Sequence, residues 1–207
     1  MNRAELKAAA RVQISGKIGI LFVIGLIIFA ISFIAELFGA FIPGVSLAVS
    51  VIVTPAFALS MAMIYLNVTD GIKPTVGDAF AGFEDFWAAF KVTFLMGLFT
   101  ALWMLLFIIP GIIKAYSYSM SLYILAENKG KSARECIRES MAMTEGYKMD
   151  LFVLDLSFIG WALVTAITFG LAGIWVGPYM QATKVNAYRY LKAKKEFPQV
   201  AAEVTAE

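Results

Sequence analysis

The stretch Ile18–Leu37, IGILFVIGLIIFAISFIAEL, decides the class of fold. Its one charged residue is Glu36, close to the end. A helix of this length rises ~30 Å, the hydrocarbon thickness of a bilayer. The basic segment before it, MNRAELKAAARVQISGK, gives the start of the chain the look of a secretory signal. The apolar run exceeds the ~7–15 residues of a signal core and lacks a small-x-small cleavage site. It therefore reads as a retained first transmembrane helix.

The rest of the chain agrees. Of its 207 residues, 60% are hydrophobic and only 15% charged, and the mean hydropathy is +0.79. A soluble domain carries about 25% charged residues, so lipid must cover much of this surface. Scanning for further runs of about 20 apolar residues predicts six spans: 17–37, 43–67, 91–108, 111–127, 151–169 and 172–191. FGAFIPG, FIIPG and FGLAG join them in pairs, which predicts an all-α fold of three tight hairpins in one domain, 1–195. The tail, 196–207, reads as disordered.

Basic residues fix the expected orientation. Arg3, Lys7, Arg11 and Lys17 precede span one, Lys73 and Lys91 separate spans two and three, and Arg189, Lys192, Lys194 and Lys195 close the chain. Lys129, Lys131, Arg134, Arg138 and Lys148 lie between spans four and five, and the three tight turns carry none. The positive-inside rule places both termini and both long loops in the cytoplasm. These loops read as amphipathic helices. In VGDAFAGFEDFWAAFK, Phe80, Phe83, Phe86, Trp87 and Phe90 make an apolar stripe, which predicts an interfacial helix. In KSARECIRESMAMTEGYK, Ser132 is an N-cap, with Ala133, Cys136, Ile137, Met141 and Thr144 on one face. Arg134 and Arg138 stand on the other, either as a partner-docking surface or as a solvated face. An internal echo pairs FIPG (41–44) with IIPG (108–111), and Pro55 and Tyr65 with Pro178 and Tyr188. Repeats of this kind build bundles with a site between them.

The segments IIPGIIKAYSYSMSLYILAEN (108–128), ECIRESMAMTEGYK (135–148), LFVLDLSFIGW (151–161) and GIWVGPYMQATKVNAYRYL (173–191) carry a resemblance. They resemble the bacterial integral membrane family known as domain of unknown function 975. The likeness runs from Arg3 to Leu191 and implies a multi-pass protein of the bacterial cytoplasmic membrane. It brings no known activity and no agreed catalytic residues. TEGYK stands where a glycine–histidine–lysine-like segment is usual in the family.

Charges within spans cost ~2.5–3.5 kcal/mol on insertion scales, so each needs a partner or a function. Matching their depths predicts two ion pairs, Glu36 with Lys114 and Asp155 with Lys184. Lys114, Ser117, Tyr118 and Ser121 fall at i, i+3, i+4 and i+7 and share one helix face. That stripe either lines a polar cavity where Lys114 meets a lipid phosphate or carboxylate, or stitches helices together while Lys114 reaches the headgroups. Asp155 and Lys184 are candidates for the same ligand.

The absent residues narrow the chemistry. The chain has no histidine and one cysteine, Cys136, which excludes a Cys/His zinc site, an intramolecular disulfide and a Ser–His–Asp triad. No GxSxG, HExxH or GxxxxGK[ST] motif is present. No enzyme activity, metal, cofactor or nucleic-acid partner is expected. The sequence favours transport or handling of a lipid or other anionic ligand through a small polar cavity. The alternative is a non-catalytic membrane subunit or adaptor. Membrane lipids, a second copy, or a membrane or cytoplasmic protein are the expected partners.

Overall fold

The structure is a computed structural model that describes residues 1–41 and 45–204, with side chains described outside 39–50 and 196–207. It is all-α, and the described residues contain no strand. The elements in order are α1 (Arg3–Ile14), α2 (Ile18–Phe41), α3 (Val45–Thr69), a 3-10 helix (Val76–Phe83), α4 (Phe86–Leu106) and α5 (Ile108–Tyr118). Then come α6 (Ser121–Glu127), α7 (Ala133–Thr144), α8 (Lys148–Leu156), α9 (Ile159–Ile167) and α10 (Gly173–Val204).

Five stretches are long and apolar enough to cross a membrane: Ile18–Phe38, Val51–Thr69, Phe86–Leu106, Ile108–Glu127 and Lys148–Ile167. They overlap the first five predicted spans, with ends that differ by up to eight residues. The sixth, 172–191, differs. Its helix α10 is long, but it carries Gln181, Lys184, Asn186 and Arg189 and falls short of the required hydropathy. The protein buries it instead: Ala182, Val185, Ala187, Tyr188 and Leu191 are at most 1% exposed. α10 packs on α1, α2, α3 and α9, so Asn186 and Arg189 find protein partners, while Gln181 is exposed and Lys184 only half-buried. The predicted turn 38–44 and the FIPG half of the internal echo fall partly on 42–44, outside the described residues. Of the predicted disordered tail, 196–207, the side chains lie outside the described residues, and α10 is helical to Val204.

Outward-facing residues show why the apolar spans are apolar. Phe29, Phe33, Ile34 and Leu37 on α2, Leu102 to Leu106 on α4, and Leu163 and Ile167 on α9 are all exposed. Water would oppose such a surface at roughly 25 cal/mol per Å², and a bilayer removes that penalty.

The last turn of α3 shows how the bundle is tied. Its carbonyls, past the end of the regular helical bonding, keep acceptor capacity for side chains from elsewhere. Lys17 Nζ donates to the Val68 carbonyl at 2.9 Å, Gln13 Nε2 to Thr69 at 3.4 Å and an Arg189 terminal nitrogen to Leu66 at 3.2 Å. Arg189 also pairs with Asp70, and Lys192, one turn on, pairs with Glu127 at the end of α6. Cations at helix C-termini are favoured by the helix dipole, so α10 joins the ends of α3 and α6.

The loop helices depart from the sequence reading at the phenylalanine stripe and at Met141. Phe80 and Phe83 lie on the 3-10 helix, while Trp87 and Phe90 already belong to α4. The 3-10 helix folds back onto α3: the Gly82 N–H donates to Ser60 Oγ at 2.8 Å, and Phe83 meets Phe57 edge-on at 5.2 Å. A Cβ on Gly82 would lie 2.1 Å from the Ala56 carbonyl oxygen, so glycine alone permits this approach. The second loop helix, α7, starts as expected. Ser132 Oγ accepts from the Glu135 N–H at 3.3 Å, and the Ser132 N–H donates to Glu135 Oε2 at 2.8 Å, a capping box. Its buried face is Ala133, Cys136, Ile137, Ser140, Met143 and Thr144. Met141, predicted on that face, is 37% exposed.

Candidate functional site

Two of the apolar spans are interrupted. The fourth is α5 followed by α6, broken at Ser119–Met120, and the fifth is α8 followed by α9, broken at Ser157–Phe158. Each break frees backbone groups that need partners, and in each case an amphipathic helix supplies one. At the first, Ser140 Oγ of α7 accepts from the Met120 N–H at 3.1 Å and donates to the Ser117 carbonyl at 2.8 Å. At the second, Lys7 Nζ of α1 donates to the Ser157 carbonyl at 3.2 Å and lies 4.1 Å from the centre of the Phe158 ring.

Beside the breaks, Asp155 of α8 and Lys184 of α10 form an ion pair, Nζ to Oδ1 3.3 Å. Tyr116 of α5 donates its hydroxyl to Asp155 Oδ2 at 3.2 Å. Both charges are half-buried, at 31% and 39% side-chain exposure. Along the same face of α10, Tyr188 donates to Glu127 Oε2 at 2.8 Å.

The ion pair borders open space. Lys184, Gln181 and Tyr65 line a cavity of about 530 Å³ between α2, α3 and α10. A second, of about 200 Å³, is lined by Tyr116, Ser119, Tyr123, Asp155, Gln181 and Lys184. A third, of about 410 Å³, has Ser32, Thr54, Tyr123 and Gln181 in its wall. Gln181 borders all three and Lys184 two. Phe22, Leu26 and Phe29 line the largest cavity and are also exposed on α2, so it opens sideways through an apolar mouth.

The site residues read from the sequence divide. Asp155 and Lys184 come together at the cavity. Glu36 and Lys114 do not: Glu36 is exposed on α2 and makes no ion pair among the described residues. Lys114 sits 5.0 Å from the ring centre of Trp103, a cation–π contact. The tight α4–α5 hairpin enforces this, since Gly111 is so close to Met104 that a Cβ would lie 2.3 Å from its Cγ. Ser117, Tyr118 and Ser121 are buried and border none of these cavities. Ser117 Oγ bonds back to the Ile113 carbonyl at 2.9 Å, and Tyr118 packs on Phe99 at 6.2 Å. Tyr116, Ser119 and Tyr123 line the cavity in their place. Their i, i+3, i+7 spacing was visible in the sequence, but the neighbouring face carried the lysine and drew the reading. Gln181 was legible as a polar residue three before Lys184. Arg134 and Arg138 are exposed on α7, away from the cavity. Among the described residues, no group of three or more acidic, cysteine or histidine side chains is placed to hold a metal ion.

No curated protein and no solved structure matches the chain. The model of the family described as "Protein of unknown function (DUF975)" matches residues 1–117 and 105–195, and the chain belongs to that family.

Proposed function

We propose that this protein holds an anionic ligand, a lipid phosphate or carboxylate, in the cavity beside Lys184, and that its role is the non-catalytic handling or transport of that ligand. One observation carries the reading: a cation and an amide, Lys184 and Gln181, border a cavity whose mouth is apolar and open sideways. An amphiphile suits such a site, its tail against Phe22, Leu26 and Phe29 and its charge at Lys184. Asp155 holds Lys184 in place until a stronger anion arrives. Interrupted spans beside the site fit the same role, because broken helices line the binding sites of many transporters. The positive-inside pattern supports a cytoplasmic-membrane location with both termini in the cytoplasm.

Native mass spectrometry of the gently extracted protein tests the reading. Anionic lipid or small molecule should be retained in stoichiometric amount, with one equivalent lost in Lys184→Met and none lost in Lys114→Met. A co-purifying protein chain with no retained ligand would overturn it and favour an adaptor that docks through Arg134 and Arg138.

A further inference from the structure

The N-terminal helix α1 carries Arg3, Lys7 and Arg11 at i, i+4 and i+8, one row beside its buried face. Among the described residues, none of the three makes an ion pair with a carboxylate. The row does not face bulk water alone. Arg11 Nε donates to the Tyr179 hydroxyl at 3.1 Å, and the guanidinium lies 5.2 Å from that ring's centre. Burial, and then the charges of Arg11 and Arg3, pull the Lys7 pKa below its ordinary value, so the cations repel one another in the unliganded protein.

A cavity of about 180 Å³ opens beside them, walled by Arg11, Ile14, Trp161, Trp175, Val176 and Tyr179. Arg11 and Tyr179 form its polar wall, and Lys7 stands one turn before Arg11 on α1. Arg11 uses Nε on Tyr179, and among the described residues its two terminal nitrogens take no hydrogen bond, which leaves them as a fork. The Tyr179 hydroxyl, having accepted that bond, keeps its own proton to donate. Lys7 Nζ has N–H groups beyond the one on Ser157. A fork plus an ammonium, with no carboxylate opposite, matches a phosphate oxyanion. Part of the apolar wall is exposed, Trp175 at 52%. Indole rings in such a wall suit the membrane interface.

We propose that α1, α9 and α10 form a second anion site, separate from the Lys184 cavity, that binds the phosphodiester of an anionic phospholipid between Lys7 and Arg11, with the acyl chains against Trp161 and Trp175. The site sits at the fifth span's break, since Lys7 holds the Ser157 carbonyl as well. Lipid bound there clamps α1 onto the broken span.

Tryptophan quenching reads the site. In a Trp87→Phe/Trp103→Phe background, Trp161 and Trp175 are the remaining indoles. The protein is reconstituted with brominated phosphatidylglycerol or brominated phosphatidylcholine at equal mole fraction. The glycerol lipid should associate about tenfold better. The preference should vanish in Lys7→Gln/Arg11→Gln and survive in Lys7→Arg/Arg11→Lys, which also controls for folding. Arg134→Gln/Arg138→Gln should leave it intact. Equal quenching by the two lipids, or an equal loss on changing Arg134 and Arg138, would overturn the proposal, because attraction would then be general to the charged surface. Inorganic phosphate is the second probe. Failure to displace the brominated lipid supports a lipid source, and displacement at millimolar concentration would overturn the lipid assignment in favour of a soluble phosphate.

Discussion

Replacing Gly82 by alanine tests the fold-back of the 3-10 helix onto α3. The added Cβ would lie 2.1 Å from the Ala56 carbonyl oxygen, 2.7 Å from the Ser60 nitrogen and 2.8 Å from Ser60 Oγ. Two of these atoms are helix backbone and cannot rotate away. Relief requires the two segments to separate by about 1 Å, an overpacking strain of ~1–3 kcal/mol. That separation stretches the bond from the Gly82 N–H to Ser60 Oγ, now 2.8 Å and buried. Ser60 in turn donates to the Ala56 carbonyl at 3.1 Å, so one hydroxyl relays both contacts. Leaving the Gly82 N–H unpaired adds ~1–3 kcal/mol. The total is ~2–6 kcal/mol, and at about 2–4 °C per kcal/mol for a chain of this size Tm falls by roughly 4–24 °C. The assay is thermal unfolding of the purified protein in detergent, with Gly77→Ala as control. A Cβ there meets only Thr75 Oγ1, at 3.7 Å, and Tm should stay within about 1 °C. A Gly82→Ala Tm equal to the control's would refute the close approach.

Three further outcomes follow from other contacts. In the cycle of Asp155→Asn, Lys184→Met and the double variant, the pair should show a coupling of about 1 kcal/mol, limited by the half-exposed positions of both charges; strictly additive Tm changes would count against the ion pair. Cys136 is buried and its thiol pKa is raised by that burial, so maleimide should label it slowly in the folded protein and fast after denaturation, and rapid labelling of the native protein would contradict the packing of α7. The Glu135 pKa is lowered, first by its hydrogen bonds with Ser132; a carboxyl depressed in the folded state stabilises above its unfolded value near 4.5 and loses that contribution as the pH falls through the folded value. Amide exchange at the start of α7 should therefore accelerate as the pH drops below 4.5 relative to the Glu135→Gln variant, and identical exchange profiles would refute the capping box.

The fold was legible where local chemistry alone decides it. Runs such as Ile18–Leu37 state their length and solvent without help from the rest of the chain. Ser132 announced a helix start, and Asp155 and Lys184 could be matched because depth along a helix follows from residue number. What stayed hidden depends on distant partners. The breaks at Ser119–Met120 and Ser157–Phe158 carry neither proline nor glycine, and Ser140 and Lys7 supply their missing bonds from 20 and 150 residues away. One continuous fourth span puts Ser121 in register with Lys114, and the lysine singles out that face over the neighbouring one of Tyr116, Ser119 and Tyr123. The stripe at Phe80 and Phe83 has a helical period, yet Gly82 binds α3 and the α-helix begins only at Phe86. Helix α1 looks like a basic flank in the sequence, although Leu6, Ala10 and Ile14 at i, i+4 and i+8 mark a packing face.

The composition of α10 also bears on how the chain is assembled during synthesis. A nascent segment is sorted into lipid by its own hydrophobicity, and lysine or arginine at its centre opposes entry by ~2.5–3.5 kcal/mol. With Gln181, Lys184, Asn186 and Arg189, α10 gains little by entering on its own. Its partners are α1, which pairs Gln13 and the Leu6 carbonyl with Asn186, α3 with its open carbonyls, and α8 with Asp155. All of these are made earlier in the chain. The ribosome therefore delivers this helix after the partners it needs, and a protein truncated before Gly173 would leave the polar groups of α1, α3 and α8 without the side chains that pair with them.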